Sequence, residues 1–190
     1  MRQPSTRLVV VGASAGGLAA LIEMLSVLPA DYPIPLVIAS HGGPGAQLLD
    51  ALRLKRSIAL PVAAATDGME LAGPRAVVLP GATHGLVAGR TLRLSELVRD
   101  SGFRPSIDAL FMTAAASYGS GTVGVVLSGT MQDGMRGAQV IYDMGGKTIV
   151  QDPDDARRAE MPRAVIANDH PRAVLPADEL GRWLADLAGA

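Results

Sequence analysis

The chain contains no cysteine. This excludes disulfide bonds, thiolate metal sites and cysteine nucleophiles, and it fits a cytoplasmic protein. Aromatic residues make up only 3% of the sequence, which argues against a carbohydrate site or a surface that stacks nucleic-acid bases. The 17 Lys and Arg residues are dispersed and nearly balance 18 Asp and Glu residues. We therefore expect neither a nucleic-acid partner nor a polybasic membrane contact.

Long hydrophobic runs are also missing. The apolar segment after Arg7 is interrupted by Gly12, so it is too short for a signal peptide or a membrane span, and we expect no membrane insertion. A length of 190 residues with 48% hydrophobic residues is sufficient for one well-buried core. The sequence therefore predicts a single domain over residues 1–190.

Apolar strands alternate with helical segments along most of the chain, which predicts a doubly wound α/β fold with a mostly parallel sheet and helices on both faces. The predicted strands are Leu8 to Val11, Leu36 to Ser40, Leu60 to Ala64, Val123 to Leu127 and Thr148 to Val150. The predicted helices carry Leu18 to Leu25, Ala46 to Arg53, Leu110 to Met112 after a Ser106 cap, Met135 to Met144, the segment that begins at Glu160, and Leu180 to Leu187. Ala76 to Leu79 and Leu86 to Leu94 predict antiparallel strands at one edge of the sheet.

The turn after the first strand reads Gly12-Ala13-Ser14-Ala15-Gly16 and fits the G-x-S-x-G nucleophile elbow. Such a turn would present the Ser14 hydroxyl at the carboxyl edge of the sheet. Two alternatives remain open at this point. The turn could bind phosphate, although it lacks the glycine pattern and the acidic residue about 20 positions later that a dinucleotide site needs. Ser14 could also simply cap the following helix.

His41 and Asp133 are the other polar residues that follow apolar strands closely. Ligands of open parallel sheets gather at the carboxyl ends of the strands, so Ser14, His41 and Asp133 are expected to meet as nucleophile, base and orienting acid. Asp133 could instead cap the helix that follows it. His84 follows a turn and is expected to play a supporting role, whereas His170 is expected at the surface.

The main-chain amides around the proposed nucleophile and acid are candidates for stabilising an oxyanion. The amide of Ala15 follows Ser14, and those of Thr130 and Met131 lie in the loop before Asp133. No carboxylate pair or His-rich cluster with metal-ligand spacing is present, so the sequence predicts no metal site.

Six motifs, taken together and in this order, resemble the catalytic domain of the chemotaxis methylesterase CheB family. They are Gly12-Ala-Ser14-Ala-Gly-Gly, Ser40-His41, Val78-Leu-Pro-Gly81 with His84, Arg104-Pro-Ser-Ile-Asp108, Leu127-Ser-Gly-Thr-Met-Gln-Asp133-Gly134 and Met161-Pro-Arg163. The resemblance implies a serine hydrolase that removes methyl groups from glutamate side chains of methylated chemoreceptors and, in many members, deamidates receptor glutamines. It places Ser14, His41 and Asp133 on the family's catalytic positions, and it implies that no cofactor is required.

The sequence departs from the family in two respects. Residues 1–7 cannot hold the phosphorylatable receiver domain that usually precedes the catalytic domain, so a stand-alone esterase or a fragment is expected. The rim of the site also differs, because Ala15, Ser40, Gly42 and Thr130-Met131-Gln132 replace residues common in the family. A serine esterase for another carboxyl ester and a non-catalytic module that docks on receptors therefore remain alternatives, as does a nucleotide-binding protein.

Overall fold

A computed structural model describes residues 6–41 and 45–189 of the chain. The segment Gly42-Gly43-Pro44, which includes one predicted rim position, lies outside the described residues. The strands are β1 Leu8–Ala13, β2 Leu36–Ser40, β3 Val62–Ala64, β4 Met69–Glu70, β5 Ala76–Val78, β6 His84–Ala88, β7 Thr91–Ser95, β8 Thr122–Val126, β9 Lys147–Gln151 and β10 Ala173–Leu175. The helices are α1 Gly17–Val27, α2 Gly45–Arg53, α3 Ile107–Tyr118, α4 Met135–Asp143, α5 Glu160–Asn168 and α6 Ala177–Gly189.

Seven strands form one sheet in the order β10-β9-β8-β1-β2-β5-β3, and every pair in it is parallel. The predicted doubly wound α/β fold is thus confirmed. The strand order reverses at β1, because the chain first builds outward through β2 and later returns to place β8 on the other side of β1. Such a reversal is where open α/β sheets bind their ligands.

Helices cover both faces of the sheet, and alternate side chains of β1 enter two separate cores. Val9 and Val11 pack with residues of α1 and α6, whereas Leu8 and Val10 pack with residues of α3 and α4. All six residues of β1 are buried, which explains why its sequence is continuously apolar and shows no polar alternation. None of the helices formed by residues 6–41 and 45–189 is long and apolar enough to cross a membrane.

The predicted antiparallel region is partly wrong. Leu86 to Leu94 does form the β6–β7 hairpin around Gly89-Arg90, and β4 extends it to a separate three-stranded sheet. The segment Ala76 to Leu79, however, contributes β5 to the large parallel sheet, where it lies between β2 and β3. All three residues of β5 are buried, as expected for a strand covered on both faces.

The helix predictions are confirmed with small shifts at the ends. Ser106 caps α3 as expected, because its hydroxyl accepts a hydrogen bond from the Ala109 amide at 3.0 Å. Strand β10 was not predicted, since it is short and only partly buried. That residues 1–190 form a single domain stays a prediction.

Candidate active site

Ser14 lies in the turn between β1 and α1, at the carboxyl edge of the sheet. Its amide donates to the Ser128 carbonyl at 3.0 Å, and its own carbonyl accepts from Gly17 at 2.9 Å. The left-handed residue of this turn is Gly16, with φ of 82°, and not Ser14. A Cβ atom at Gly16 would lie 2.7 Å from Ser128 Oγ. The sharp bend therefore depends on Gly16, and Ser14 keeps ordinary backbone geometry.

His41 comes directly after β2, and its amide donates to the Ala13 carbonyl of β1 at 3.1 Å. Its Nε2 lies 2.9 Å from Asp133 Oδ2 and 3.1 Å from the Pro105 carbonyl oxygen. Because that carbonyl can only accept, this geometry requires the proton of neutral His41 on Nε2. Nδ1 is then an acceptor, and it is buried without a hydrogen-bond partner among the described residues.

Asp133 is fully buried at the side chain and accepts two main-chain hydrogen bonds from the first turn of α3. The Ile107 amide donates to Oδ2 at 2.7 Å and the Asp108 amide donates to Oδ1 at 2.9 Å. The alternative that Asp133 caps the helix after it is wrong, because it caps α3 instead. A negative charge at this helix N-terminus is favoured by the free amides and by the helix dipole.

Asp108 mirrors this arrangement at the start of α4. Its Oδ1 accepts from the amides of Gly134 at 3.0 Å and Gly137 at 2.7 Å, and its Oδ2 accepts from Arg136 Nε at 2.8 Å. Asp133, which precedes α4, thus accepts hydrogen bonds from amides at the start of α3, and Asp108, which belongs to α3, accepts them from amides at the start of α4. Burial raises the pKa of Asp108, with a smaller contribution in the same direction from the Asp133 charge.

Ser14 and His41 line the same open pocket of about 260 Å³, together with residues of α1 and α2. The pocket walls include Ala15, Leu18, Leu48 and Leu79. The structure joins His41 to Asp133 directly, but it shows no hydrogen bond between the Ser14 hydroxyl and His41. Catalytic hydrogen bonds are often long in unliganded enzymes and tighten only when substrate binds.

The three main-chain amides predicted to stabilise the oxyanion differ in the hydrogen bonds that they donate. The amides of Ala15 and Thr130 donate no hydrogen bond to another described residue, so they stay candidates. The Met131 amide instead donates to Glu160 Oε2 at 3.0 Å, so it would have to leave this acceptor to face an oxyanion, and its role stays a prediction. The loop passes close to the proposed nucleophile, since a Cβ atom on Gly129 would lie 2.8 Å from Ser14 Cβ.

The other two histidines lie outside the pocket. His84 is buried, where its Nδ1 accepts from the Ser106 amide at 3.2 Å and its Nε2 lies 3.1 Å from the Val98 carbonyl. This supports the predicted auxiliary role, because His84 ties the segment before α3 to strand β6. His170 is exposed and stacks on Tyr142, as expected for a surface residue.

Sequence reasoning missed several groups around His41. The Phe103 ring stacks on the His41 imidazole with centroids 4.3 Å apart and an angle of 10° between the ring planes. Pro105 and Asp108 lie in a motif that the sequence singles out, but nothing local shows that a Pro105 carbonyl would face His41. The contact of Glu160 with the loop before Asp133 also has no sequence signal, because its partner is the main-chain amide of Met131, 29 positions away.

Comparisons with known proteins identify the family of the chain. The sequence profile described as CheB methylesterase matches residues 9–184. The chain belongs to the CheB methylesterase family. The solved catalytic domain of the Thermotoga maritima CheB methylesterase superposes with a TM-score of 0.88 at 29% identity, covering 96% of this chain and 99% of that one.

Two curated relatives in the CheB methylesterase family are named protein-glutamate methylesterase/protein-glutamine glutaminase. The one from Anaeromyxobacter dehalogenans is 36% identical over 98% of this chain and 54% of its own length. The one from Myxococcus xanthus is 40% identical over 86% of this chain and 48% of its own length. The chain thus spans about half the length of the curated relatives it matches.

Proposed function

We propose that this chain is a serine hydrolase that cleaves methyl esters of glutamate side chains in a protein substrate, with Ser14 as nucleophile, His41 as base and Asp133 as orienting acid. The observation that carries the proposal is the His41 Nε2 contact with Asp133 at 2.9 Å, which leaves Nδ1 unpartnered in the imidazole that shares a pocket with Ser14. A serine hydroxyl needs such a base, and the base needs a carboxylate to stabilise its charged form.

The first half of the reaction forms an acyl-enzyme. Ser14 Oγ attacks the ester carbonyl carbon while His41 Nδ1 accepts the hydroxyl proton, and Nε2 keeps its proton toward Asp133. The amides of Ala15 and Thr130 stabilise the oxyanion of the tetrahedral intermediate. When the intermediate collapses, the carbon–oxygen bond to the methoxy group breaks, and Nδ1 returns the proton to give methanol.

The second half releases the product. A water molecule attacks the Ser14 ester while His41 Nδ1 accepts one of its protons, and collapse of the second tetrahedral intermediate returns that proton to Ser14 Oγ. The product is a glutamate carboxylate, so each turnover adds one negative charge to the substrate. All proton transfers use side chains of this chain, and the mechanism requires no cofactor.

The names of the relatives pair glutamate methylesterase with glutamine glutaminase activity, which supports a protein substrate that carries glutamate and glutamine side chains. We propose that this substrate is a methylated chemoreceptor and that the enzyme acts in the cytoplasm, as the resemblance to the chemotaxis methylesterases implies. Attack on a glutamine amide would follow the same steps with ammonia as the leaving group. Hydrolysis should therefore be assayed on both a methylated and an amidated receptor helix.

Ser14→Ala tests the proposal. The variant is expected to release no methanol from methylated receptor fragments and to resist labelling by a fluorophosphonate probe, while its thermal unfolding is unchanged. Ser26→Ala is the matched control, because Ser26 also belongs to α1 but its hydroxyl donates to the Ser57 hydroxyl at 2.8 Å, and it does not line the pocket of Ser14 and His41. It should label at the wild-type rate.

Three other outcomes would contradict parts of the proposal. Methanol release by Ser14→Ala at the wild-type rate would remove the nucleophile. Labelling of wild-type protein without turnover of receptor fragments would point to another carboxyl ester. Receptor binding without any labelling of Ser14 would point to a non-catalytic docking module.

A further inference from the structure

We propose that Phe103 and the main-chain carbonyl of Pro105 are positioning groups for His41, which fix its tautomer and stabilise the imidazolium that forms during catalysis. The inference rests on the function proposed above and concerns groups outside the proposed triad. Its basis is that His41 is held from three directions, by a carboxylate, a carbonyl and an aromatic face.

The Pro105 carbonyl duplicates one duty of Asp133. In a catalytic triad the carboxylate selects the tautomer in which the imidazole proton points toward the acid. A carbonyl oxygen 3.1 Å from Nε2 makes the same selection, and it cannot itself be protonated. The Nε2–H tautomer, with Nδ1 ready to accept the Ser14 proton, is therefore specified twice. We expect it to persist when the Asp133 carboxylate is removed.

Phe103 acts on the charged form of His41. The two rings are nearly parallel at 4.3 Å, so the imidazole lies over the face of the phenyl ring. Aromatic faces attract cations, and His41 carries a positive charge while it holds the Ser14 proton. An interaction that strengthens at that stage lowers the barrier without tightening substrate binding. The ring also shields His41, whose side chain is only 10% exposed.

The segment that carries both groups is anchored independently of any substrate. Asp100 and Phe103 exchange two main-chain hydrogen bonds, at 3.1 and 2.8 Å. The Asp100 carboxylate accepts from the Ser106 hydroxyl and from Arg136, each at 2.8 Å. Arg104 Nη1 donates to the carbonyl of Glu96 at 2.8 Å. These bonds hold the segment in place before substrate arrives, as positioning requires.

The first test compares Phe103→Leu with Phe103→Tyr. Leucine keeps apolar bulk but removes the aromatic face, and labelling of Ser14 by the fluorophosphonate should slow by about 2- to 30-fold. Tyrosine keeps the face, and Phe103 lines an open pocket of about 460 Å³, so this variant should restore at least half of the wild-type rate. With a receptor fragment as substrate, the leucine variant should lose kcat and keep KM.

Val98→Ala is the matched control, because Val98 lies in the loop leading to the same segment and is 87% exposed, and its carbonyl contact with His84 is retained. It should label at the wild-type rate. Labelling of Phe103→Leu at the wild-type rate, or a tyrosine variant as slow as the leucine variant, would overturn the role of Phe103.

The second test reads the His41 tautomer directly by ¹⁵N NMR of the imidazole nitrogens. We expect protonated Nε2 and unprotonated Nδ1 in the wild type and also in Asp133→Ala, or in Asp133→Ser if the alanine variant does not fold. A dominant Nδ1–H tautomer in either protein would overturn the role of Pro105. Because this readout needs no turnover, it decides the inference even if the wild type is not labelled, a result that would contradict the proposed function instead.

Discussion

Replacing Asp108 separates the two duties of its carboxylate, capping α4 and pairing with Arg136. Asp108→Ala removes the acceptor of two buried amides, Gly134 and Gly137. A buried donor left unsatisfied costs about 1–3 kcal/mol, so the variant should lose roughly 2–6 kcal/mol of unfolding free energy. At about 2–4 °C per kcal/mol for a chain of this size, its Tm should fall by roughly 5–20 °C.

Asp108→Asn keeps an oxygen for both amides and loses only the contact with Arg136. That arginine is 47% exposed at the side chain, and exposed ion pairs contribute about 0–1 kcal/mol. The asparagine also removes a buried charge next to Asp133, which offsets part of the loss. We therefore expect Asp108→Asn to be destabilised by less than about 1 kcal/mol.

Urea unfolding followed by far-UV circular dichroism measures both variants under the same conditions. Asp178→Ala provides the control for losing an exposed ion pair at a helix start, because Asp178 pairs with Arg182 in the first turns of α6. It should cost about 0.3–0.5 kcal/mol. Equal destabilisation of Asp108→Ala and Asp108→Asn would refute the capping argument, as would an alanine variant within 1 kcal/mol of the wild type.

Three further outcomes are expected. Burial raises the pKa of Asp108 in the folded state above its unfolded value of about 3.9. The unfolding free energy of the wild type, relative to that of Asp108→Asn, should therefore decline as the pH rises from about 3.9 through the folded-state pKa. Urea titrations between pH 3 and 7 measure this difference, and a difference that rises with pH would contradict the prediction. Glu160→Ala should release the loop that carries Thr130 and slow labelling of Ser14 roughly tenfold, which is less than the about 10²–10³-fold loss of rate when an oxyanion donor is removed. Glu160→Gln keeps an acceptor for the Met131 amide and should label at the wild-type rate. Gly16→Ala should destabilise the fold by more than the about 1–2 kcal/mol typical of an alanine in the left-handed region. Gly68→Ala should cost less, because Gly68 also has a positive φ but a Cβ atom there would meet no atom within 4 Å. Equal losses of unfolding free energy in urea would contradict the packing argument.

The parallel sheet could be predicted from the sequence because its strands carry a local signal. β1, β2 and β8 are short, continuously apolar and followed by polar or glycine-rich turns. β5 carries the same signal, yet it was paired with the following hairpin, because periodicity identifies a strand without identifying its neighbour. Its partners β2 and β3 both precede it in the chain and are brought beside it only by the tertiary fold.

The residues of the candidate site also divide into those with a local sequence signal and those without one. Ser14, His41 and Asp133 could be proposed because each follows a strand of the same sheet, and strand ends converge by geometry. The contacts of Phe103, Pro105 and Glu160 could not be predicted, since each depends on a loop conformation with no periodic pattern. The sequence gives no sign that the Met131 amide is engaged, because its acceptor belongs to α5.

The two aspartates that cap α3 and α4 make the proposed acid part of the fold. Asp133 accepts from the amides of Ile107 and Asp108, and Asp108 in turn accepts from the amides of Gly134 and Gly137. Removing the Asp133 carboxylate would therefore leave two amides at the start of α3 unsatisfied, and removing the Asp108 carboxylate would leave two amides at the start of α4 unsatisfied. Ser14 has no such structural duty for its side chain among the described residues. Chemistry and stability should consequently be separable by substitution at Ser14 but not at Asp133, where activity is lost together with unfolding free energy.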